Sequence, residues 1–330
     1  MAAIISISGN LPAAHAAKER VLEVRALSGD YLEAWSGLLA AAFDRSPADM
    51  AALLGWMMSG WGMVVYGVWD GATLAAQYSC LRTRLRLPNV MQPLSVGMSV
   101  NMATHPDYRG RGLIKHAAAP VYEALKAEGA IAGVGFSNAA GVKVDRHSKG
   151  YGYRVVGQMR PLIALPSLRH NPSPDFYLTD NLPPLGDLQT TVSSLHFEMT
   201  PAALVHRFAL HPFRRYRFGV WENNGRILGV VVYQETTLFG IPAVSLLTAY
   251  SHDVEGLLSR WLASLNRNQL IHTLTTPNSH IRECLMRLKV CVSLPWQKSP
   301  YYLTLKPLCE DAPASLMDFE QWDCMGGNIL

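Results

Sequence analysis

Arg109-Gly110-Arg111-Gly112 sets two kinds of chemistry side by side. The arginines offer positive charge and forked N–H donors that match phosphate oxygens. The glycines let the backbone turn tightly and come close to a ligand. The flanks fit that role. Before the turn, Leu94, Val96, Met98, Val100 and Met102 alternate with Ser95, Gly97, Ser99, Asn101 and Ala103. That is the period of a strand over 94–104, with one apolar and one small or polar face. His105-Pro106-Asp107 ends it, because Pro106 has no N–H for a ladder. After the turn, Ile114, Ala117, Ala118, Val121 and Leu125 fall on one face of a helix over 111–128, which Pro120 is expected to kink. The first N–H groups of a helix are unpaired and its dipole is positive there. Strand, turn and helix therefore form a cradle for a phosphate group, and Lys115 adds charge. The pattern is neither G-x-x-x-x-G-K-S/T nor G-x-G-x-x-G. A surface turn with a solvated basic rim is the plainer alternative.

Arg109-Gly110-Arg111-Gly112-Leu113, with Ala103-Thr104-His105-Pro106-Asp107-Tyr108 before it, resembles the acetyl-CoA loop of the GNAT superfamily of N-acetyltransferases, whose pattern is R/Q-x-x-G-x-G/A. One position departs: Ile114 stands where Gly or Ala is usual. The resemblance spans residues 25–166 and implies an α/β, GNAT-like α+β fold with acetyl-CoA as co-substrate. It implies that Met102 offers a backbone N–H to the thioester carbonyl. Ala103, Thr104, Arg109, Gly110, Arg111, Gly112, Leu113 and Ile114 would hold the cofactor. A strand over 131–137 would splay from 100–104, leaving backbone groups free to bond the pantetheine arm. Asn138 follows that strand; the resemblance makes it a cofactor contact, and a cap for the next helix is equally open.

Acyl transfer to an amine requires loss of a proton from the amine, stabilisation of an oxyanion and departure of a thiolate. Many members of the superfamily carry Glu or Asp on the strand before the loop. Here the polar face offers Ser99 and Asn101, neither of which is a base; both could orient the acceptor. Many members also place a Tyr four residues before a Gly-Phe turn, which Gly152-Tyr153 resembles, and Ser148 stands at that position. His147 and Tyr151 are the neighbouring candidates for proton transfer, with Asp145 and Tyr153 beside them. His147 has the right intrinsic pKa, and a surface or capping role fits it as well. His105 reads as a turn residue.

The elements that must position these groups fill a chain of 330 residues, 49% of them apolar, with a net charge of +4. That is enough for two domains and offers no basic tail for nucleic acid. No stretch reads as a membrane span, and the apolar first eight residues lack the basic lead of a signal peptide. Five cysteines, Cys80, Cys284, Cys291, Cys309 and Cys324, are odd in number and form no C-x-x-C. A reduced, cytoplasmic protein fits that usage, and no metal-ligand spacing is present.

Helices are expected over 30–43 and 46–58, and a hairpin over 63–69 and 73–87. Trp56 and Trp61 read as core packing or as a wall of the acceptor pocket. Arg82, Arg84 and Arg86 share one strand face, which reads first as solvated and second as a site for an anion. A helix over 142–150 and a closing strand over 154–165 complete the first half. Phe218-Gly219-Val220-Trp221 and Gly225 then echo Tyr66-Gly67-Val68-Trp69 and Gly71. Strands over 227–233, 244–249 and 270–275 and helices over 254–266 and 280–288 continue the echo. This implies two tandem acyl-CoA N-acyltransferase-like halves, each a mixed, mostly antiparallel sheet flanked by helices. In the second, Ser251-His252-Asp253-Val254-Glu255-Gly256 replaces the arginine loop, so that half is not expected to bind CoA. The expected layout is a flexible terminus at 1–20, a cofactor-binding domain at 21–166, a Pro-rich linker at 167–190, a degenerate second domain at 191–310 and a tail at 311–330 that packs Trp322 or folds over the acceptor cleft.

The resemblance thus implies an acetyl-CoA-dependent N-acetyltransferase working by direct transfer in a ternary complex, as a monomer or homodimer. Its acceptor would be a small amine such as an amino sugar, an amino acid or a specialised metabolite. No nucleic acid or membrane partner is expected. A non-catalytic acyl-CoA-binding sensor or interaction protein, and an O-acyl or longer-chain transferase, stay open.

Overall fold

A computed structural model describes residues 3–6, 21–88, 90–146, 151–165, 171–186, 188, 194–266, 269–289, 291–294 and 299–329. In chain order, the first elements are β1 (Ala3–Ser6), β2 (Val21–Ala26), α1 (Leu32–Phe43), α2 (Pro47–Trp61), β3 (Met63–Asp70), β4 (Thr73–Arg86), β5 (Leu94–Thr104), α3 (Leu113–Ala127), β6 (Ala132–Asn138), α4 (Ala139–Arg146) and β7 (Arg154–Gln158). Then come β8 (Arg160–Ala164), β9 (Phe176–Thr179), β10 (His196–Phe197), α5 (Pro201–Leu204), β11 (Arg217–Asn223), β12 (Arg226–Leu238), β13 (Ile241–Ser251), α6 (Val254–Ser264), β14 (Leu270–Thr275), α7 (His280–Leu288), β15 (Cys291–Ser293) and β16 (Tyr301–Pro307).

These elements form two mixed, mostly antiparallel sheets flanked by helices. The first runs β1-β2-β3-β4-β5-β6-β16-β7, with β10 pairing β4; the second runs β15-β8-β14-β13-β12-β11-β9. A parallel pair stands at an equivalent place in each, β5 with β6 and β13 with β14. By contacts the chain divides into a first unit of residues 1–83, 95–155 and 304–312, and a second of 84–94, 156–303 and 313–330.

In the first unit both faces of the sheet are covered. Ala117, Ala118, Val121 and Leu125 of α3 pack with Val24, Val64, Val68, Tyr78 and Cys80. Trp35, Leu38 and Leu39 of α1 and Leu54 of α2 pack with Val65, Trp69, Leu74 and Ala103. Successive β3 residues therefore face opposite helices, as the pleat requires. Ser46 caps α2 by accepting from Asp49 N at 3.0 Å, with Pro47 in the first turn. In the second unit, Leu257, Leu258, Trp261 and Leu262 of α6 pack on Val231, Tyr233, Val244 and Ile271. Burying side chains of this size contributes about 1.5–3 kcal/mol each.

The division departs from the expected layout in three places. The closing strand over 154–165 breaks at the buried Met159, whose N–H bonds Tyr301 O at 2.9 Å. Its second piece, β8, joins the second sheet beside β14, while the late strand β16 joins the first beside β6. Either apolar run satisfies either sheet, so the two halves exchange strands at equivalent positions. The expected linker contains β9, which pairs with β11. Within the expected loose terminus, Ala3–Ser6 pairs antiparallel with β2.

Candidate functional site

The Arg/Gly turn joins β5 to α3. Gly110 has φ +78 and Gly112, the residue before α3, has φ +69, both in the left-handed region that glycine enters without strain. No side chain caps α3 and its first turn holds no acid, so its leading N–H groups keep their donor capacity and the dipole is unopposed. Arg109, Arg111 and Lys115 are exposed around it. Arg111 lies over the Tyr108 ring at 5.0 Å and donates to Asp107 O at 3.1 Å, which holds its guanidinium near the turn. Leu113 is buried and Ile114 packs against the α3 cluster, so neither side chain obstructs that end of the helix.

The parallel register of β5 and β6 runs Val96↔Ala132, Gly97↔Gly133, Met98↔Val134 and stops, although both strands continue to Thr104 and Asn138. The expected splay is therefore present. Asn101 has φ +48, a conformation costing a non-glycine residue about 1 kcal/mol. It shifts the phase of β5. A Cβ on Gly97 would meet Leu125 of α3, and Ser99 follows on that face. The Asn101 amide instead donates to Met57 Sδ of α2 at 3.3 Å. Beyond it Met102 packs with the α3 cluster and Ala103 with the α1/α2 cluster, the reverse of plain alternation. Ser99 and Asn101 thus lie on opposite faces rather than on the single polar face expected. The buried side chains of Gln77 and Ser79 hold the irregularity from β4. Gln77 Nε2 donates to Asn101 O, and Ser79 Oγ donates to Val100 O at 2.6 Å.

Beside the opening of the strands lies a set of hydroxyls. Ser99 Oγ would sit 2.6 Å from a Cβ on Gly135, and Thr304 Oγ1 of β16 would sit 3.1 Å from it. Thr304 Oγ1 donates to Gly135 O at 3.2 Å. Tyr122 donates to Tyr78 Oη at 2.7 Å. Tyr153 Oη is buried without a hydrogen bond of standard geometry. Burial pushes the Tyr78, Tyr122 and Tyr153 hydroxyls above the usual phenol range, so all three are neutral proton carriers near pH 7. Tyr151 is buried 5.5 Å from the Tyr78 ring, and its carbonyl accepts from Lys306 Nζ at 2.6 Å. Asn138 Oδ1 accepts from Gly141 N at 2.9 Å, which realises its capping role on α4. His147 and Ser148 lie outside the described residues.

The arginine face on β4 is tied within the chain. Arg82 pairs with Glu128 at 2.7 Å, and Arg84 and Arg86 share Glu198 at 2.6 and 2.7 Å. Trp56 is buried edge-on to Trp61, with ring centroids 5.0 Å apart. Sequence reasoning passes over Gln77, Ser79 and Thr304. The one signal for the first two is a pair of polar residues at strand spacing inside the apolar run Leu74–Leu81, which reads equally as a solvated face.

In the second unit the equivalent places are filled. Asp253 Oδ1 caps α6 through Gly256 N at 2.8 Å, and Glu255 adds a second acid to the first turn. The β13/β14 register ends at Leu246↔Thr273. Beyond it the C-terminal segment enters: Met325 bridges Thr275, Thr276 N donates to Cys324 O at 3.0 Å, and a Cβ on Gly327 would lie 2.7 Å from Leu247 O. The buried Arg207 holds that segment by donating to Ile329 O at 2.5 Å. Trp322 is fully buried and donates to Leu316 O at 3.0 Å.

Residues 23–154 match the acetyltransferase (GNAT) domain family. No curated protein matches the chain in sequence. Among solved structures, a probable N-acyltransferase of unknown function from Enterococcus faecalis V583 is 12% identical, with a TM-score of 0.63 over 87% of this chain and 73% of that one. A GCN5-related N-acetyltransferase from Anabaena variabilis is 9% identical, with a TM-score of 0.64 over the same shares. Eis1 from Mycobacterium abscessus is 15% identical, with a TM-score of 0.59 over 87% and 74%. At these identities the likeness is one of fold.

Proposed function

We propose, on the match of residues 23–154 to the GNAT acetyltransferase domain family, that the chain moves an acetyl group from acetyl-CoA to the amine of a small molecule. The observation that carries this reading is the end of β5/β6 pairing at Met98/Val134 next to the uncapped start of α3. A pyrophosphate meets the α3 N–H groups, Arg109 and Arg111, with Gly110, Gly112, Leu113 and Ile114 shaping the turn. The pantetheine arm lies along Ala103 and Thr104, Asn138 closes its far side, and the Met102 N–H points at the thioester oxygen. The amine nitrogen attacks the carbonyl carbon, the C–S bond breaks, and the proton lost by the amine balances the one gained by the thiolate. Positioning supplies most of the rate. Ser99 and Asn101 flank the thioester from opposite faces, and His147, Ser148 and Tyr151 are the candidates for moving protons.

The second unit takes no cofactor in this reading, because acids stand at α6 and its own tail occupies the β13/β14 opening. Five free cysteines and the donor itself fit a cytoplasmic setting. Among the described residues no helix is long and apolar enough to cross a membrane, and no three potential metal ligands cluster. The test is calorimetric titration with acetyl-CoA, then thiol release across a panel of amino sugars, amino acids and other small amines. One-to-one binding with turnover on an amine is expected; absence of binding sinks the proposal. One observation favours a second reading, an acyl-CoA sensor: β5 carries no carboxylate or imidazole. Binding without turnover on any amine would select it.

A further inference from the structure

β5 changes phase at Asn101, one of the few non-glycine residue types that enter the left-handed region. Asn101 sits at φ +48, and the carbonyls of Val100 and Asn101 accept hydrogen bonds from side chains of β4. Buried carbonyls need donors. Gln77 and Ser79 provide them from the adjacent strand, and both are fully buried. Gln77 is committed to this one contact: its Oε1 is buried without a hydrogen-bond partner. A side chain with half its polar capacity unused is costly in a core. A leucine of similar size would fill the site without that cost, so packing alone does not account for a glutamine. Tyr78 and Cys80 pack with α3 and place Gln77 and Ser79 on the opposite face, where Asn101 reaches Met57.

We infer that Gln77 and Ser79 are positioning residues for the acyl donor: by clamping the Val100 and Asn101 carbonyls they hold the phase shift of β5, and so fix the direction of the Met102 N–H. This rests on the acetyl-CoA reading above. Without the clamp, Asn101 relaxes toward extended backbone, and everything after it turns by one step. The Met102 N–H then leaves the thioester oxygen. The Arg/Gly turn is held separately, through its glycines and the Arg111–Asp107 contact, and keeps its grip on the pyrophosphate.

The experiment compares CoA with acetyl-CoA labelled with carbon-13 at the thioester carbonyl. It measures affinity by calorimetry and the carbonyl stretch of the bound ester by infrared difference spectroscopy. In the unmodified protein the stretch should lie below its position in water. Gln77→Leu should bind CoA within twofold of the unmodified protein, bind acetyl-CoA about fivefold more weakly, the loss expected for one hydrogen bond, and return the stretch toward its free position. Ser79→Ala should do the same to a lesser degree, and Ser79→Thr, which keeps the hydroxyl, should restore both. The Ser79 pair carries the test if Gln77→Leu does not fold. An unmoved stretch and an unchanged CoA to acetyl-CoA ratio in both Gln77→Leu and Ser79→Ala overturn the clamp and leave the acetyl-CoA reading standing. Equal losses for CoA and acetyl-CoA reduce the pair to a structural role and also overturn it. An unmodified protein that binds neither ligand overturns both proposals.

Discussion

Gly112 and Asp253 stand at the same place in two halves of one chain, each preceding the helix that follows the strand with a parallel partner, and they treat it oppositely. Gly112, at φ +69, leaves the first N–H groups of α3 without a side-chain partner. Asp253 caps α6 with its own carboxylate, which accepts from Gly256 N at 2.8 Å. A negative ligand is welcome at the first and repelled at the second. The glycine end is therefore the place to test anion binding, and the aspartate end its internal control.

Arg109→Glu combined with Arg111→Glu should weaken CoA binding by roughly 100-fold or more, since each lost charge-assisted contact is worth about 1.5–3 kcal/mol. Both side chains are exposed, so the melting temperature should stay unchanged. Calorimetry checks the first and scanning calorimetry the second. Unaltered affinity would remove the turn from the site.

Asp253→Ala with Glu255→Ala should leave CoA stoichiometry at one per chain, because the segment around Met325 still fills the opening beside Thr275. Loss of the cap should cost about 1 kcal/mol of stability. Two cofactors per chain would show that acidity alone had kept the second unit empty.

Gly327→Ala places a Cβ 2.7 Å from the Leu247 carbonyl, a backbone atom that cannot swing aside. A loss of about 1–3 kcal/mol is expected, read as a lower melting temperature. Trp322→Ala, at a fully buried site, should cost about 3–5 kcal/mol. If neither variant melts earlier, the tail is not part of the folded body.

His211 supplies a pH dependence. Burial, and then the charges of Arg214 and Arg207, push its pKa down to about 4. Its Nδ1 accepts from Phe213 N and Arg214 N, both at 3.1 Å, which requires the neutral ring. The folded pKa is depressed below the ordinary 6.5, so this contribution to stability is whole above pH 6.5 and is lost as pH falls toward 4. His211→Asn keeps an acceptor for the same two N–H groups and has no proton to gain. Melting curves from pH 7 to pH 4 should show the unmodified protein losing ground to this variant; a constant gap would rule the linkage out.

Much of the first unit is legible in the order of its residues. The alternation from Leu94, the turn at Pro106 and the two glycines together define β5, the turn and the start of α3. The repeat and the acids at Asp253 and Glu255 point to a second, differently equipped half. Three features are hidden, each for a physical reason. The phase shift at Asn101 depends on donors from another strand, and polar residues inside an apolar run do not reveal which carbonyls they serve. The strand exchange is invisible because Leu162-Ile163-Ala164 and Leu303-Thr304-Leu305 suit either sheet. β9 is masked by the prolines around it, which mark a linker although Phe176 is buried in the second core.

The placement of β16 has a consequence for how the protein is made. Thr304 and Leu305, buried in the first unit, are separated from Val155 by about 150 residues of intervening chain. A ribosome adding roughly 5–20 residues per second needs about 7–30 s to supply them. Until then β6 is an open edge with unpaired backbone groups, the kind of surface on which nascent chains join one another. The half whose synthesis begins first thus stays incomplete until nearly the whole chain is made, and its yield in the cell should depend on whatever shields that edge during the wait.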